Sequence, residues 1–251
     1  MTLKDYYQLN PQRYNDQFWW KTNDIEFWKN LFKNKNHTIL ELAAGTGRIG
    51  LPLIKEGFNY QGIDISQSYC NYANKQFKKY LNKEVIYNED IRKFNLNKQF
   101  DYIFIGFNSW LHLLSYKDAK DCLKSIKKHM RATSKLYIDI FVPSPLFLYR
   151  PKDVAVPVLE FFDSQKKEII FVDEIIDYNK KKEIIDINWL YKNKNKYFSE
   201  FNFKMKMYYP DKMINLLTEN NFIINNIWGD YDKRKFNEDS NLQIYDCQLN
   251  I

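Results

Sequence analysis

Apolar positions along the chain change their spacing from segment to segment, and each change marks a different kind of element. In "NDIEFWKNLF" Ile25, Trp28, Leu31 and Phe32 recur every three to four positions, the period of a helix with one buried face. With "YNDQFWW" before it, this predicts a helical N-terminal segment over residues 1–37. Between 38 and 150 the pattern becomes short, near-continuous apolar runs: "TILELAA", "NYQGIDIS", "EVIYNED", "QFDYIFIGFN" and "KLYIDIFVP". Runs of this kind form parallel strands covered on both faces, and their alternation with helices predicts right-handed crossovers in a doubly wound α/β sheet. Ser66 is placed to cap the helix "QSYCNYANKQFKKYL", Pro52 falls early in the helix after the first strand, and another helix runs from about Lys117 to Met130. Over 151–209 β-forming runs, "VLEFFDS", "EIIFVDEIIDY", "EIIDINWLY" and "YFSEFNFKMKMYY", are broken by "NKKK" and "KNKNK". They predict antiparallel hairpins inserted into the core, a lid or a homodimer contact. Residues 210–251 return to a helix beginning at Pro210, then the strands "FIINNIWGD" and "LQIYDCQL".

The first strand runs into "AAGTGRIG". Gly45-x-Gly47-x-x-Gly50, with Asp64 about 20 residues on, has the spacing of a dinucleotide fingerprint. Ligands of open α/β sheets sit beyond the carboxyl ends of the strands, where this chain places Glu41, Asp64, Asp90, Asn108 and Asp139. Glu41, four residues before Gly45, is expected to face the ligand rather than the core. A carboxylate there repels a pyrophosphate and attracts an ammonium. S-adenosylmethionine carries an ammonium and a sulfonium and no phosphate, so it fits better than a nicotinamide dinucleotide. Gly45 and Gly47 let its chain lie close to backbone. Asp64 is suited to ribose hydroxyls and Asp90 to the adenine amine, with Ile91 on the ring face.

"ILELAAGTGRIG", "GIDIS", "EDIRKF", "QFDYIFIGFNSWLHLLS" and "LYIDIFVPSP", in this order, resemble class I S-adenosylmethionine-dependent methyltransferases over about residues 36–145. "YPDKMINLLTENNFIINNIWGDYDKRKF", preceded by the β insertion, is similar to the subgroup that methylates small molecules, including sugar-nucleotide and glycine-type amines. The resemblance implies a Rossmann-like seven-stranded sheet whose last strand is antiparallel. It implies a cofactor site of Tyr14, Glu41, Ala43, Gly45, Thr46, Gly47, Arg48, Asp64, Ile65, Asp90, Ile91, Arg92, Phe107 and Asn108. One departure is "MRATSKL" where the family has a Gly-Gly turn before strand five. A narrower resemblance is to methyltransferases of bacterial capsule gene clusters that make O-methyl phosphoramidate decorations.

Methyl transfer needs acceptor and methyl held at attack distance, and a base when the acceptor is a hydroxyl or a protonated amine. His112 in "NSWLHLL" follows strand four and titrates in the useful range, while its apolar neighbours suit a core histidine equally well. Tyr14 matches, by resemblance, an N-terminal tyrosine that folds over the methionine end of the cofactor. Trp19, Trp20 and Trp110 are candidates for the acceptor pocket, and Arg13, Arg150, Tyr231 and Arg234 for holding an anionic acceptor. His37 and His129 stand in lysine-rich helix ends and read as surface residues.

Composition narrows the field. The 251 residues carry a formal charge of +7, with Lys scattered among Asn rather than gathered in a patch. That distribution, and "FNSW" in place of the Asn/Asp-Pro-Pro-aromatic turn that grips an extruded base, argue against a nucleic-acid substrate. Three widely spaced cysteines suggest neither disulfides nor a zinc site, and no other metal site stands out. The N-terminus has no signal-peptide pattern, and no apolar stretch is long enough for a membrane span, which predicts a cytoplasmic protein. A non-catalytic cofactor-binding regulator would carry the same pocket.

Overall fold

The computed structural model describes residues 9–194 and 196–250. In chain order the first half holds α1 (Pro11–Gln17), α2 (Asn23–Leu31), β1 (Thr38–Leu42), α3 (Gly50–Lys55), β2 (Asn59–Asp64), α4 (Gln67–Phe77), β3 (Ile86–Asn88), β4 (Phe100–Ile105), α5 (Tyr116–Lys128) and β5 (Met130–Phe141). There follow α6 (Pro145–Leu148), β6 (Val156–Asp163), β7 (Glu168–Asn179), β8 (Ile184–Asn193), β9 (Lys196–Lys206), α7 (Pro210–Glu219), β10 (Phe222–Trp228) and β11 (Leu242–Leu249). The chain divides into two compact units, one of residues 23–142 and 208–251, the other of 1–22 and 143–207.

The larger unit is built on a seven-stranded sheet in the order β10-β11-β5-β4-β1-β2-β3. β1 to β5 run parallel, while β11 is antiparallel to both β5 and β10. The expected seven-stranded methyltransferase-type α/β sheet is therefore present, with its late antiparallel strand. From β1 the chain steps outward to β2 and β3 and then returns to the other side for β4 and β5, so the switch point at which open α/β sheets bind their ligands falls between β1 and β4.

Aromatic rings fill the core. Trp28 of α2 is fully buried and lies 4.5 Å from Phe104 and 6.3 Å from Tyr137, which are paired across β4 and β5. Ser66 caps α4 as expected, accepting from Tyr69 N. Where the family has a Gly-Gly turn, β5 bulges: Met130 pairs with Phe100 but Lys135 with Tyr102. Ser134 closes the bulge, donating to Phe100 O at 2.5 Å and accepting from Arg131 N at 2.7 Å. His129, expected at the surface, is buried against Phe94 and accepts from Leu96 N through Nε2. The lysines around it mark the outer face of α5, while its own ring turns inward.

The smaller unit contains the predicted hairpins as one antiparallel sheet, β6-β7-β8-β9. Strict alternation buries Phe161, Ile170, Val172, Ile187 and Tyr191 on one face. α1 belongs here, anchored by the Tyr191 hydroxyl donating to Gln17 Oε1 at 2.9 Å. The first 37 residues thus divide between the units, α2 going with the core, and the boundaries of the hairpin segment fall after Val142 and after Met207. Among the described residues no helix is long and apolar enough to cross a membrane.

Candidate active site

The glycine loop closes the end of β1. Ala43, Gly45 and Gly47 all have left-handed backbone, with φ of 57°, 57° and 78°. At Gly47 a Cβ would also stand 2.4 Å from the Phe77 ring, so only glycine fits. The Gly45 N–H donates to Asp64 Oδ2 at 2.8 Å, and the Ser66 N–H to Asp64 Oδ1 at 2.8 Å. Asp64 therefore ties the loop to the start of α4. Burial pushes its pKa up to about 6 although both N–H groups favour the carboxylate. Thr46 is buried beside it and Ile65 half-buried.

Glu41 is not where the charge pattern puts it. Its side chain is 4% exposed, inside the packed interior, and accepts from the Tyr60 hydroxyl at 2.5 Å. Burial raises its pKa to about 8, with the Tyr60 bond and the Arg48 charge pulling the other way. At neutral pH the group is mostly the acid, not the ligand-facing carboxylate anticipated. The reason is architectural: β1 is covered on both faces, so neither of its sides looks into solvent.

Arg48, in the same loop, is spent on a bidentate pair with the fully buried Asp24 of α2, at 2.9 and 2.6 Å, and stacks over Phe107 at 4.7 Å. Phe107 and Asn108, leaving β4, have φ of 51° and 65°. Asp139 at the end of β5 holds them: Phe107 N donates to its Oδ2 at 3.1 Å and Asn108 N to its carbonyl at 3.1 Å. Asn108 Oδ1 accepts from Phe141 N at 2.7 Å. A 3-10 turn, Ser109–His112, follows. His112 ends it, half-buried, whereas Trp110 is fully buried at 6.0 Å from Tyr208 and is core rather than pocket wall.

Other candidates are corrected by their partners. The Tyr231 hydroxyl donates to Asp139 Oδ2 at 2.8 Å, so its proton is committed to a carboxylate and cannot hold an anion. Burial first, then Asp139, raises its pKa. Arg234 is exposed and pairs with Asp232 and Asp230 on its own loop. Asp90 and Arg92, expected to share a cofactor, bind each other: Asp90 accepts from Arg92 N at 2.9 Å and Nη2 at 2.6 Å, and Nη1 reaches Asp118 at 2.8 Å. Burial raises the Asp90 pKa, but the Arg92 contacts outweigh it and leave it below the usual range. Ile91 beside them is half-buried.

In the smaller unit Arg13 donates through Nε to Asp163 at 3.3 Å and stacks on Tyr191, while Arg150 pairs with Glu174 at 2.8 Å. Tyr14 packs on Phe18 at 4.8 Å. Trp19 is 67% exposed and lines a cavity of about 330 Å³ with Asp16, Glu160, Phe161, Phe162 and Ile169; Trp20 is also exposed. Asp24 and Tyr60 are site residues that pattern reading missed. Asp24 leaves no local signal, but Tyr60 does: it alternates with Gly62 in "NYQGID", a large ring beside an absent one.

Residues 39–133, which hold the glycine loop and the ends of β1 to β4, match the family described as "Methyltransferase domain". The chain thus carries a segment similar to a methyltransferase domain, over less than half of its length. It is 26% identical over 142 residues to YqeM of Bacillus subtilis (strain 168), a protein named as a methyltransferase; the match spans 53% of this chain and little more than half, 57%, of that relative. Among solved structures, the CcbJ methyltransferase of Streptomyces caelestis is similar with TM-score 0.77 at 15% identity, over 91% of this chain and 89% of that one. An S-adenosylmethionine-dependent methyltransferase from Clostridium acetobutylicum ATCC 824 gives 0.76 at 17%, over 94% and 96%. The sugar N-methyltransferase KedS8 from Streptoalloteichus sp ATCC 53650 gives 0.63 at 13%, over 92% and 86%. At these identities the structural likenesses show the fold.

Proposed function

We propose that this chain is a methyltransferase that uses S-adenosylmethionine to methylate an oxygen or nitrogen of a small, anionic or nucleotide-linked acceptor. The observation that carries the reading is the chemistry around the switch point. Three buried carboxylates, Asp24, Asp64 and Asp139, gather at or beside the ends of β1, β2 and β5 against one guanidinium, Arg48, and a loop of left-handed glycines lies between them. Such a setting favours a cationic ligand laid along backbone and disfavours a pyrophosphate.

Gly45, Thr46 and Gly47 would hold the methionine part by backbone, Asp64 with Ile65 the ribose, and Ile91 with the Phe107–Asn108 turn the adenine. When bound, the cofactor supplies an electrophilic methyl on a sulfonium whose thioether leaves readily. The protein's own task is to position the acceptor, exclude water and take a proton. His112, at the end of the turn that leaves β4, is the residue to take it. The surplus of basic side chains, +7 over the chain, favours an anionic acceptor. Nitrogen as the acceptor atom is supported by the fold likeness to a sugar N-methyltransferase. The narrower capsule resemblance supports an O-methyl phosphoramidate precursor as the oxygen acceptor.

Release of S-adenosylhomocysteine on incubation with sugar-nucleotide amines and with phosphoramidate acceptors tests the reading; release with neither class, despite tight cofactor binding, would leave the protein a cofactor-binding regulator. Asp64→Ala is expected to abolish cofactor binding. His112→Ala should spare binding and slow turnover on the order of 10²-fold; full activity in that variant removes the histidine from the mechanism.

A further inference from the structure

In "QFWW" and in "EFFD" large rings stand side by side in sequence, and folding turns one of each pair inward and leaves the next outside. Phe18 packs on Tyr14 and Trp189, with centroids 4.8 and 6.3 Å away, while Trp19 beside it is 67% exposed. Phe161 is buried, while Phe162 is 54% exposed and its register partner on β7, Ile169, 55% exposed. Alternation along β6 sets Glu160 on the same face as Phe162. With Asp16 and Phe161 these residues, all in the smaller unit, line the cavity of about 330 Å³, and no basic residue is among them. Asp16 is pinned there: its Oδ1 accepts from Gln12 Nε2 at 2.8 Å, and its Oδ2 from Ser164 N at 2.8 Å and Oγ at 2.7 Å. Those donors are neutral, and the Glu160 carboxylate has no hydrogen-bond or ion-pair partner among the described residues, so both charges stand uncompensated.

Exposed apolar side chains grouped around a recess mark a binding surface, and two carboxylates without a counter-charge select the sign of what binds. An anion is repelled there, and a neutral apolar molecule leaves the carboxylates unused. A hard metal ion needs several oxygen ligands, and among the described residues no group of three or more His, Cys, Asp or Glu could hold one. Rings together with carboxylates suit an ammonium carrying carbon substituents, which is drawn to the ring faces as well as to the negative charge. We propose that the recess between Trp19 and β6 binds a small organic cation with an alkylated ammonium group, its carbon substituents against Trp19 and Phe162 and its charge answered by Glu160 and Asp16. A cavity of about 330 Å³ is near the lower end of small-molecule sites, which suits such an ion better than a nucleotide. This binding is independent of the methyl-donor reading above.

Isothermal titration of the whole chain with choline, and with the uncharged isostere in which a tert-butyl group replaces the trimethylammonium, separates charge from shape. Choline should saturate one site, and the isostere should bind about tenfold or more weakly. Glu160→Gln keeps the size of the side chain and should weaken choline by roughly fivefold, whereas Trp19→Ala should weaken both ligands by about tenfold. Both positions are exposed, so these variants should melt like the wild type. Absence of saturable choline binding overturns the proposal, as do equal affinities for the two ligands or an unchanged choline affinity in either variant. Sedimentation of the chain without ligand gives a further check. A monomer leaves the recess open as proposed, while a dimer that Trp19→Ala or Phe162→Ala returns to monomer would mean that a second copy covers it, and overturns the proposal.

Discussion

Carboxyl groups at the strand ends of the larger unit and on the outer face of the smaller unit's sheet meet different fates. In the larger, Asp24, Glu41, Asp64 and Asp139 are each at most 5% exposed, held by backbone N–H groups, tyrosine hydroxyls or one guanidinium. The four-stranded sheet buries Asp163, Asp173 and Glu174 as well, but on its outer face Asp177 and Asp186 pair with Lys152 and Lys204 at the surface, where water screens them. The same residue type therefore builds an electrostatic site in one place and a solvated face in the other. What separates them is not sequence composition but whether water can reach the group, since a withdrawn charge must find partners or give up its charge.

Arg48→Met would break the contrast most severely. It leaves the Asp24 carboxylate buried and unpaired, at a cost of about 3 to 5 kcal/mol, and chemical denaturation should register that loss. Next comes Gly47→Ala, which meets the Phe77 ring and a φ of +78° together. Strain and overpacking should cost about 2 to 4 kcal/mol, lowering the melting temperature by roughly 5 to 15 °C. A melting temperature within a degree of wild type would mean that the loop is looser than its contacts imply.

Glu41 sharpens the comparison through pH. Its pKa is raised from 4.5 to about 8 in the folded chain, so its favourable contribution is full below about 4.5 and is lost as pH climbs towards 8. Asp64 acts in the same sense between 3.8 and about 6. Without ligand the protein should therefore melt at progressively lower temperature from about pH 5 to pH 8, and Glu41→Gln should flatten the upper part of that slope. The smallest effect belongs to the surface: Lys152→Ala removes a pair whose side chains are 68% and 62% exposed and should leave the melting curve unmoved.

Much of this was legible in the residues themselves. Two left-handed glycines after an apolar run, acids at strand ends and β-formers broken by Lys/Asn turns are local signals, because each reflects a φ value, a strand period or a turn that neighbours in sequence decide. The hairpin strands and the two late strands follow from that reading to within a few residues, whereas the antiparallel direction of the last one was implied by the family resemblance. Side-chain direction at the site was harder. Glu41 looked ligand-facing by position, Trp110 was a candidate for the acceptor pocket, and His129 looked exposed by its lysine neighbours; all three turn inward.

The succession of elements along the chain, the glycine turn and the antiparallel hairpins were thus determined by the sequence alone, since they depend on short-range backbone preferences and the spacing of apolar positions. Only the tertiary structure decided that Arg48 answers Asp24, that Tyr231 answers Asp139, and that Glu41 answers Tyr60. Those partners come from separate elements of the chain, and a carboxyl group's charge depends on which of them folding brings against it once water has been excluded.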